Sequence, residues 1–390
     1  MERINQQNHR PGEEAGYPEL VLGDAVLEKE REVLYWLSRI SFLGESSIRK
    51  MWEKAGSFRE IYNIEGKAWE TCGILQQNKG GTLEREKRNF SAAIEEYHSL
   101  GERGIKFTTI LDQAYPERLK VLEHMPLWLF YKGKLPEDDR PSLAVIGSRK
   151  ATRYGLEIAR CFGRELGREG VQIISGLAAG IDGAGQKGTL EGGGSTYGVL
   201  GCGINICYPK EHYILYEETA AKGGILSEYC LGAPPLSRNF PVRNRIISGL
   251  SDGVLVVEAR EKSGSLITAG LGLNQGKDIF AIPGRITDPG SAGCNQLIQM
   301  GAIPALGPGD ILEYFGIKYE KKLSLHEKNE KGLAKKEKMV YSFIDLHPKH
   351  LEDIVNESGL PLSECMMILL DLELKGFAVS FGGNYYGRKL

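Results

Sequence analysis

"NFPVRNRIISGLSDGVLVVEA", residues 239–259, joins a segment rich in cations and carrying an aromatic ring to an apolar run that ends in a carboxylate. Pro241 suits the first turn of a helix, where no intrahelical N–H bond is lost to its ring. "GVLVVEA" (253–259) is β-branched and bounded by "SDG", the pattern of a buried strand. Helix leading directly into strand is half of a strand–helix–strand unit. The same alternation extends to both sides, through "LAVIG" (143–147), "VQIISG" (171–176), "TYGVLG" (196–201), "GILSEY" (224–229), "DIFAIPG" (278–284) and "AIPAL" (302–306). Strands at this spacing with helices between them predict right-handed crossovers and a parallel, doubly wound α/β sheet. Glycine marks the same region, since 31 of the chain's 50 glycines fall between Gly147 and Gly309.

The flanks read differently. Residues 1–27 are expected to be a frayed tail. Residues 28–104 are helical by pattern, with Leu34, Leu37, Ile40, Leu43, Ile48 and Met51 on a helix-turn-helix outline around Gly44. The sheet domain is taken as 105–316, its strand-like "LWLFYKG" adding an edge. A Lys- and Glu-rich linker follows over 317–332. Over 333–390, three helical segments and two short strands around Gly382 and Gly383 outline a winged helix.

A net charge of -2 over 390 residues excludes a basic coat, so a polyanion must be held by a local patch. Seven scattered cysteines without a C-x-x-C pair fit neither a disulfide framework nor a zinc site, and imply a reducing cytoplasm. No stretch approaches the roughly 18 apolar residues of a membrane span, and the N-terminus lacks an apolar leader core.

In an open parallel sheet, ligands bind among the loops at the carboxyl ends of the strands. After the first parallel strand, "GSRKATRYG" offers Gly147 and Ser148, whose backbone amides can approach an anion, and Arg149, whose fork fits phosphate. The G-x-G-x-x-G fingerprint is absent and the second strand carries no terminal acid, which argues against NAD. "SGLAAGIDGAG" brings Ser175 and Gly176 to the crevice, with Asp182 read as a cap or an arginine partner. His212 reads as a surface residue. "EAREKSGSLITAG" supplies Lys262, Ser263, Gly264 and Ser265 as another anion-binding turn, with Glu258 behind it. The helix holding Phe240, Arg243 and Asn244 opens into the same crevice. Several cations suit successive phosphates, and Phe240 offers a face on which a base can stack. The plainer account makes Phe240 core and pairs the arginines with Glu228, Asp252 or Glu258.

Eight collinear fragments, "VIGSR" followed by "YG", "SGLAAGID", "GCGINICYP", "GGILSEY", "FPVRNRIISGLSDGVLVVEA", "KSGSLITA", "IFAIPG" and "GCNQLIQMGA", resemble the DprA (Smf) family, the DNA-processing proteins of natural transformation. Upstream "YPERL" and "PLWLFYKG" belong to the same pattern. The resemblance implies a helical SAM-like or helix-hairpin-helix domain, an extended Rossmann domain and a winged helix. It implies single-stranded DNA binding without sequence preference, protection of incoming DNA, loading of the RecA recombinase and a homodimer, with no catalytic step, cofactor or metal. Carried onto this chain, Gly147, Ser148, Arg149, Phe240, Arg243, Asn244, Lys262 and Ser263 line the DNA site, with Ser175 and Arg245 in second rank. The histidine that the family carries shortly after "GID" is missing.

Two other readings remain in view. A Rossmann-like nucleoside-monophosphate phosphoribohydrolase of the lysine-decarboxylase-like group would use Glu258 and the "SGSLIT" turn, although its P-G-G-x-G-T-x-x-E arrangement is absent. Duplex reading by the winged helix would rest on "LPLSECMMILLDLELKG", whose acids and single lysine suit phosphates poorly and leave it as a protein-contact or accessory module.

Overall fold

The computed structural model describes residues 23–318, 333–345 and 348–388. Most of the expected tail and the linker over 319–332 lie outside them. Six helices come first: α1 Asp24–Ser38, α2 Glu45–Ala55, α3 Phe58–Asn63, α4 Gly66–Thr71, α5 Lys79–Lys87 and α6 Phe90–Ser99. Helix α1 begins four residues before the expected boundary, with Asp24 in its first turn, where a carboxylate favours the positive end of the helix. Leu34, Leu37, Ile40, Ile48 and Met51 are buried together, as their spacing around Gly44 predicts.

A nine-stranded sheet follows. Its strands are β1 Lys106–Thr109, β2 Trp128–Gly133, β3 Ser142–Ile146, β4 Gln172–Ser175, β5 Thr196–Leu200, β6 Gly224–Ser227, β7 Gly253–Val256, β8 Asp278–Ala281 and β9 Ile303–Pro304. The order is β1-β2-β6-β5-β4-β3-β7-β8-β9, parallel from β6 to β9 and antiparallel at β1-β2 and β2-β6. The "LWLFYKG" strand is therefore the second from the edge; β1 covers it. The connecting helices are α7 Glu117–Lys120, α8 Arg153–Arg168, α9 Ile181–Glu191, α10 Tyr213–Lys222, α11 Asn239–Gly249, α12 Gly264–Asn274, α13 Ala292–Gln299 and α14 Pro308–Tyr314.

Helices cover both faces, which is why the central strands are apolar throughout rather than alternating. In β3, Leu143 and Val145 pack into the core on one face, while Ala144 and Ile146 join the core on the other. The second of these cores is continuous with that of the helical domain.

The C-terminal unit consists of α15 Lys335–Phe343, β10 Lys349–His350, α16 Leu351–Ser358, α17 Leu362–Leu374, β11 Ala378–Phe381 and β12 Tyr385–Arg388. Its sheet runs β10-β12-β11, all antiparallel, over a core that includes Val340, Tyr341, Ile354, Leu369 and Leu372. The two-residue strand β10 had no signal in the sequence pattern.

Candidate nucleic-acid interface

From β3 the chain winds outward through β4 and β5 to β6, then returns through α11 to β7 on the opposite side of β3. The loops leaving β3 and β7 therefore diverge, and a crevice opens between them. A cleft of about 490 Å³ occupies this position. Gly147, Ser148, Arg149 and Lys150 line it from the loop after β3, Ser237, Phe240, Arg243 and Asn244 from around the start of α11, and Arg260, Lys262, Ser263 and Ser265 from around the start of α12. Because the first residues of α11 and α12 face the cleft, the positive ends of both helices reinforce its cations.

Close backbone packing sets the first loop. A Cβ on Gly147 would lie 2.6 Å from Ile181 Cγ1 and 2.9 Å from the Glu258 carbonyl oxygen, so only glycine lets the chain pass there. Thr152 caps α8, its Oγ1 accepting from the Gly155 amide at 3.1 Å. The Thr152 amide donates to Glu258 Oε2 at 2.8 Å, and its hydroxyl donates to Oε1. Glu258 is thus buried and occupied with holding two rim loops together.

The Phe240 ring is half-buried, its centroid 5.0 Å from the guanidinium carbon of Arg149, 5.8 Å from that of Arg243 and 5.7 Å from the Tyr208 ring. Gly201 gives it room, since a Cβ there would stand 2.8 Å from Phe240 Cδ1. The rim is cationic: Arg149, Lys150, Arg260 and Lys262 are all exposed. Among the described residues none of the four forms an ion pair, and those of the sheet domain lie elsewhere, as at Arg118–Asp252, Arg160–Glu191 and Arg245–Glu228.

The arginines of "VRNR" do not share one role. Arg243 is 3% exposed and floors the cleft, its Nη1 donating to the Gly176 carbonyl at 3.2 Å. Its Nε is buried without a hydrogen-bond partner. Burial pushes its pKa down to about 10, opposed by the negative charge of Asp182, whose own carboxyl burial pushes up. Asp182 accepts from the Gly176 amide at 3.2 Å, and its charge is felt by Arg243 through the buried floor of the cleft. Arg245 turns away from the cleft. Its Nη2 donates to Glu228 Oε1 and its Nε to the His124 carbonyl, both at 2.7 Å, tying α11 to the rest of the fold. Ser175 also stays out of the cleft, being fully buried with its hydroxyl on the Val145 carbonyl at 2.6 Å. The remaining eight residues expected at the site line the cleft together. The plainer, structural account holds for Arg245, which pairs with Glu228, and leaves the rim charge untouched.

Lys150, Arg260 and Ser237 were missed. Lys150 and Arg260 sit beside motif residues on the same loops, a signal that motif matching passes over. Also unforeseen is Leu177, whose φ of +52° is costly for a branched side chain. Its amide donates to Gln186 Oε1 at 3.0 Å, and its carbonyl lies 2.9 Å from His212 Nδ1, so His212 supports the turn after β4.

Elsewhere, the helical domain uses its own acids at the α4 and α5 starts: Glu84 accepts from the Gly66 amide at 2.7 Å and Glu70 from the Gly80 amide at 2.6 Å. These termini therefore offer no second phosphate seat. Among the described residues no helix is long and apolar enough to cross a membrane, and no cluster of three or more His, Cys, Asp or Glu side chains could hold a metal.

The family model described as DNA recombination-mediator protein A matches residues 106–316, and that of the DprA winged helix domain matches 326–384. The chain belongs to the DprA family. It is similar to Protein Smf of Escherichia coli (strain K12), 40% identical over 279 residues that cover 70% of this chain and 75% of that protein. DNA processing protein DprA of Streptococcus pneumoniae is 41% identical over 235 residues, 58% of this chain and 83% of the relative. The X-ray structure of DprA from Streptococcus pneumoniae matches with a TM-score of 0.62 at 32% identity, covering 76% of this chain and 99% of that one. The α/β class and the winged helix expected from the motifs are those of the DprA family.

Proposed function

We propose that this DprA-family protein binds single-stranded DNA without sequence preference, shields it, and helps to load RecA upon it during natural transformation. In this reading it acts in the cytoplasm as a homodimer and performs no catalytic step. The observation that carries the reading is the ring of unpaired cations, Arg149, Lys150, Arg260 and Lys262, around the Phe240 ring at the strand-order switch. Cations at several points suit a run of phosphates rather than one ester. An aromatic shelf beside them favours an unpaired strand, because in a duplex the faces of the bases are already stacked on one another. Glu258, which a phosphoribohydrolase would need at its active site, is instead buried and held by Thr152, so the binding role is favoured over the enzyme.

The test is anisotropy of a labelled oligo-dT across a salt series, with a duplex of equal length beside it. Tight, salt-sensitive binding of dT that Arg149→Ala/Lys262→Ala weakens supports the reading, and equal affinity of the double variant for dT rejects it. Sedimentation at twice the chain mass tests the dimer. Retention of RecA by the immobilised protein carrying oligo-dT tests the handover.

A further inference from the structure

Helix α17 occupies the position from which a winged helix reads DNA, yet its outer face is apolar. Leu362, Met366, Met367, Leu370 and Leu374 are 53%, 45%, 67%, 55% and 78% exposed. Residues 362, 366, 370 and 374 recur every fourth position and form one ridge, with Met367 beside it. The opposite side is apolar as well: Cys365, Ile368, Leu369 and Leu372 are buried and fix the helix to its domain. A helix apolar on all sides is ordinarily covered on all sides. Here the inner half is covered by its own domain and the outer half stands in solvent.

The charges beside the ridge are acidic. At 100° per residue, Glu373 falls within the arc of the ridge, and Asp371 and Glu364 lie beyond its Met367 edge. Lys375 Nζ is engaged by Glu337 Oε1 at 2.6 Å; Lys336 pairs with Glu364, and Glu373 accepts from the Ser380 amide at 3.1 Å, so of the three acids Asp371 alone has no partner for its side chain among the described residues. A DNA phosphate approaching α17 would therefore meet apolar side chains and carboxylates.

We propose that α17 is the docking face for a basic amphipathic helix of a partner protein. Leucine-type residues of such a helix would cover the ridge while its lysines or arginines meet Asp371 and Glu373. Paired methionines suit an adaptable contact of this kind, since the thioether chain repacks around different shapes. A second copy of α17 fits less well, because it would bring acids against acids.

The test uses the full chain and a fluorescein-labelled 18-residue Leu/Lys peptide whose leucines fall on one helical face, beside a peptide of identical composition with its leucines dispersed. The expected result is binding of the one-faced peptide at least tenfold tighter than the dispersed one, a loss of at least tenfold in Met366→Ser/Leu370→Ser, and unchanged oligo-dT affinity. Leu374→Ser, at the most exposed ridge position, should lose several-fold with the same melting profile as wild type, and it decides the matter should the double variant fail to fold. Equal binding of the two peptides overturns the proposal, as does undiminished binding by Leu374→Ser and the double variant. So does duplex binding, or self-association of the wild type, that the ridge substitutions abolish.

Discussion

The guanidinium carbon of Arg149 lies 5.0 Å from the centre of the Phe240 ring, so the first loop of the sheet and the start of its long return helix meet across the cleft. Neither residue is near the other in sequence. The contact exists because the strand order reverses between β3 and β7, and it puts a guanidinium and an aromatic face within one nucleotide's reach.

Phe240→Ala should weaken oligo-dT binding while leaving its salt dependence unchanged, because the ring contributes stacking and no charge. At about 1–3 kcal/mol per stacked base, the loss is roughly 5- to 150-fold. Phe240→Trp should retain most of the affinity. Parallel log-log plots for wild type and the Ala variant are the expected record, and a changed slope would show that the ring acts by positioning the cations.

The rim cations should behave in the opposite manner. Arg149→Ala or Lys262→Ala should each flatten the log-log salt slope by about 0.7, and Lys150→Ala and Arg260→Ala should do the same if the strand follows the whole rim. The slope, read between low and moderate salt, counts the phosphates in contact. An unaltered slope in Arg149→Ala would remove that residue from the DNA path.

Arg245→Ala should leave affinity for oligo-dT nearly unchanged and lower the melting temperature instead. Its guanidinium is spent on Glu228 and the His124 carbonyl, away from the cleft. Thermal unfolding and anisotropy on the same preparation separate the two effects, and a salt-dependent loss of binding would return Arg245 to the site.

This division among the arginines shows how far the sequence could be read. The strands' succession along the chain and the fold class were legible because β-branched runs alternated with helical patterns, and the rim loops were legible because Gly147 and Ser263 mark turns before helices. What the local pattern could not show is which way a side chain on α11 points. Arg243, Asn244 and Arg245 are consecutive, yet 100° of rotation per residue sends Arg243 beneath the cleft and Arg245 toward Glu228. Ser175 failed for a related reason: the last residue of a strand faces the core or the crevice according to its parity, and here its hydroxyl meets the Val145 carbonyl.

In the C-terminal domain, the Lys375 ammonium and then the Ala334 amide hold the Glu337 carboxyl below its usual range. A carboxyl whose pKa is lowered by folding adds stability above its unfolded pKa and loses it as pH falls through the folded value, because the unfolded chain takes the proton first. The domain's unfolding transition should therefore move to lower temperature below about pH 4.5. Glu337→Gln should flatten that dependence. Calorimetry of the full chain across this range, with both proteins showing the same acid slope as the losing outcome, tests it.

Arg243→Ala should act chiefly on stability. The side chain is buried beneath Phe240, and its charge offsets that of buried Asp182, so its removal strands an acid in a desolvated site. Loss of one partner of a buried charge pair costs about 3–5 kcal/mol. Asp182→Asn alone strands the guanidinium and should also destabilise. Replacing both together, as Arg243→Ala/Asp182→Asn, should cost less than the sum of the two single changes, because neither charge is left alone. Urea titrations of the four proteins measure this coupling. If the losses simply add, the two residues do not offset one another, and any effect of Arg243→Ala on DNA binding would then have to come from direct contact with the strand.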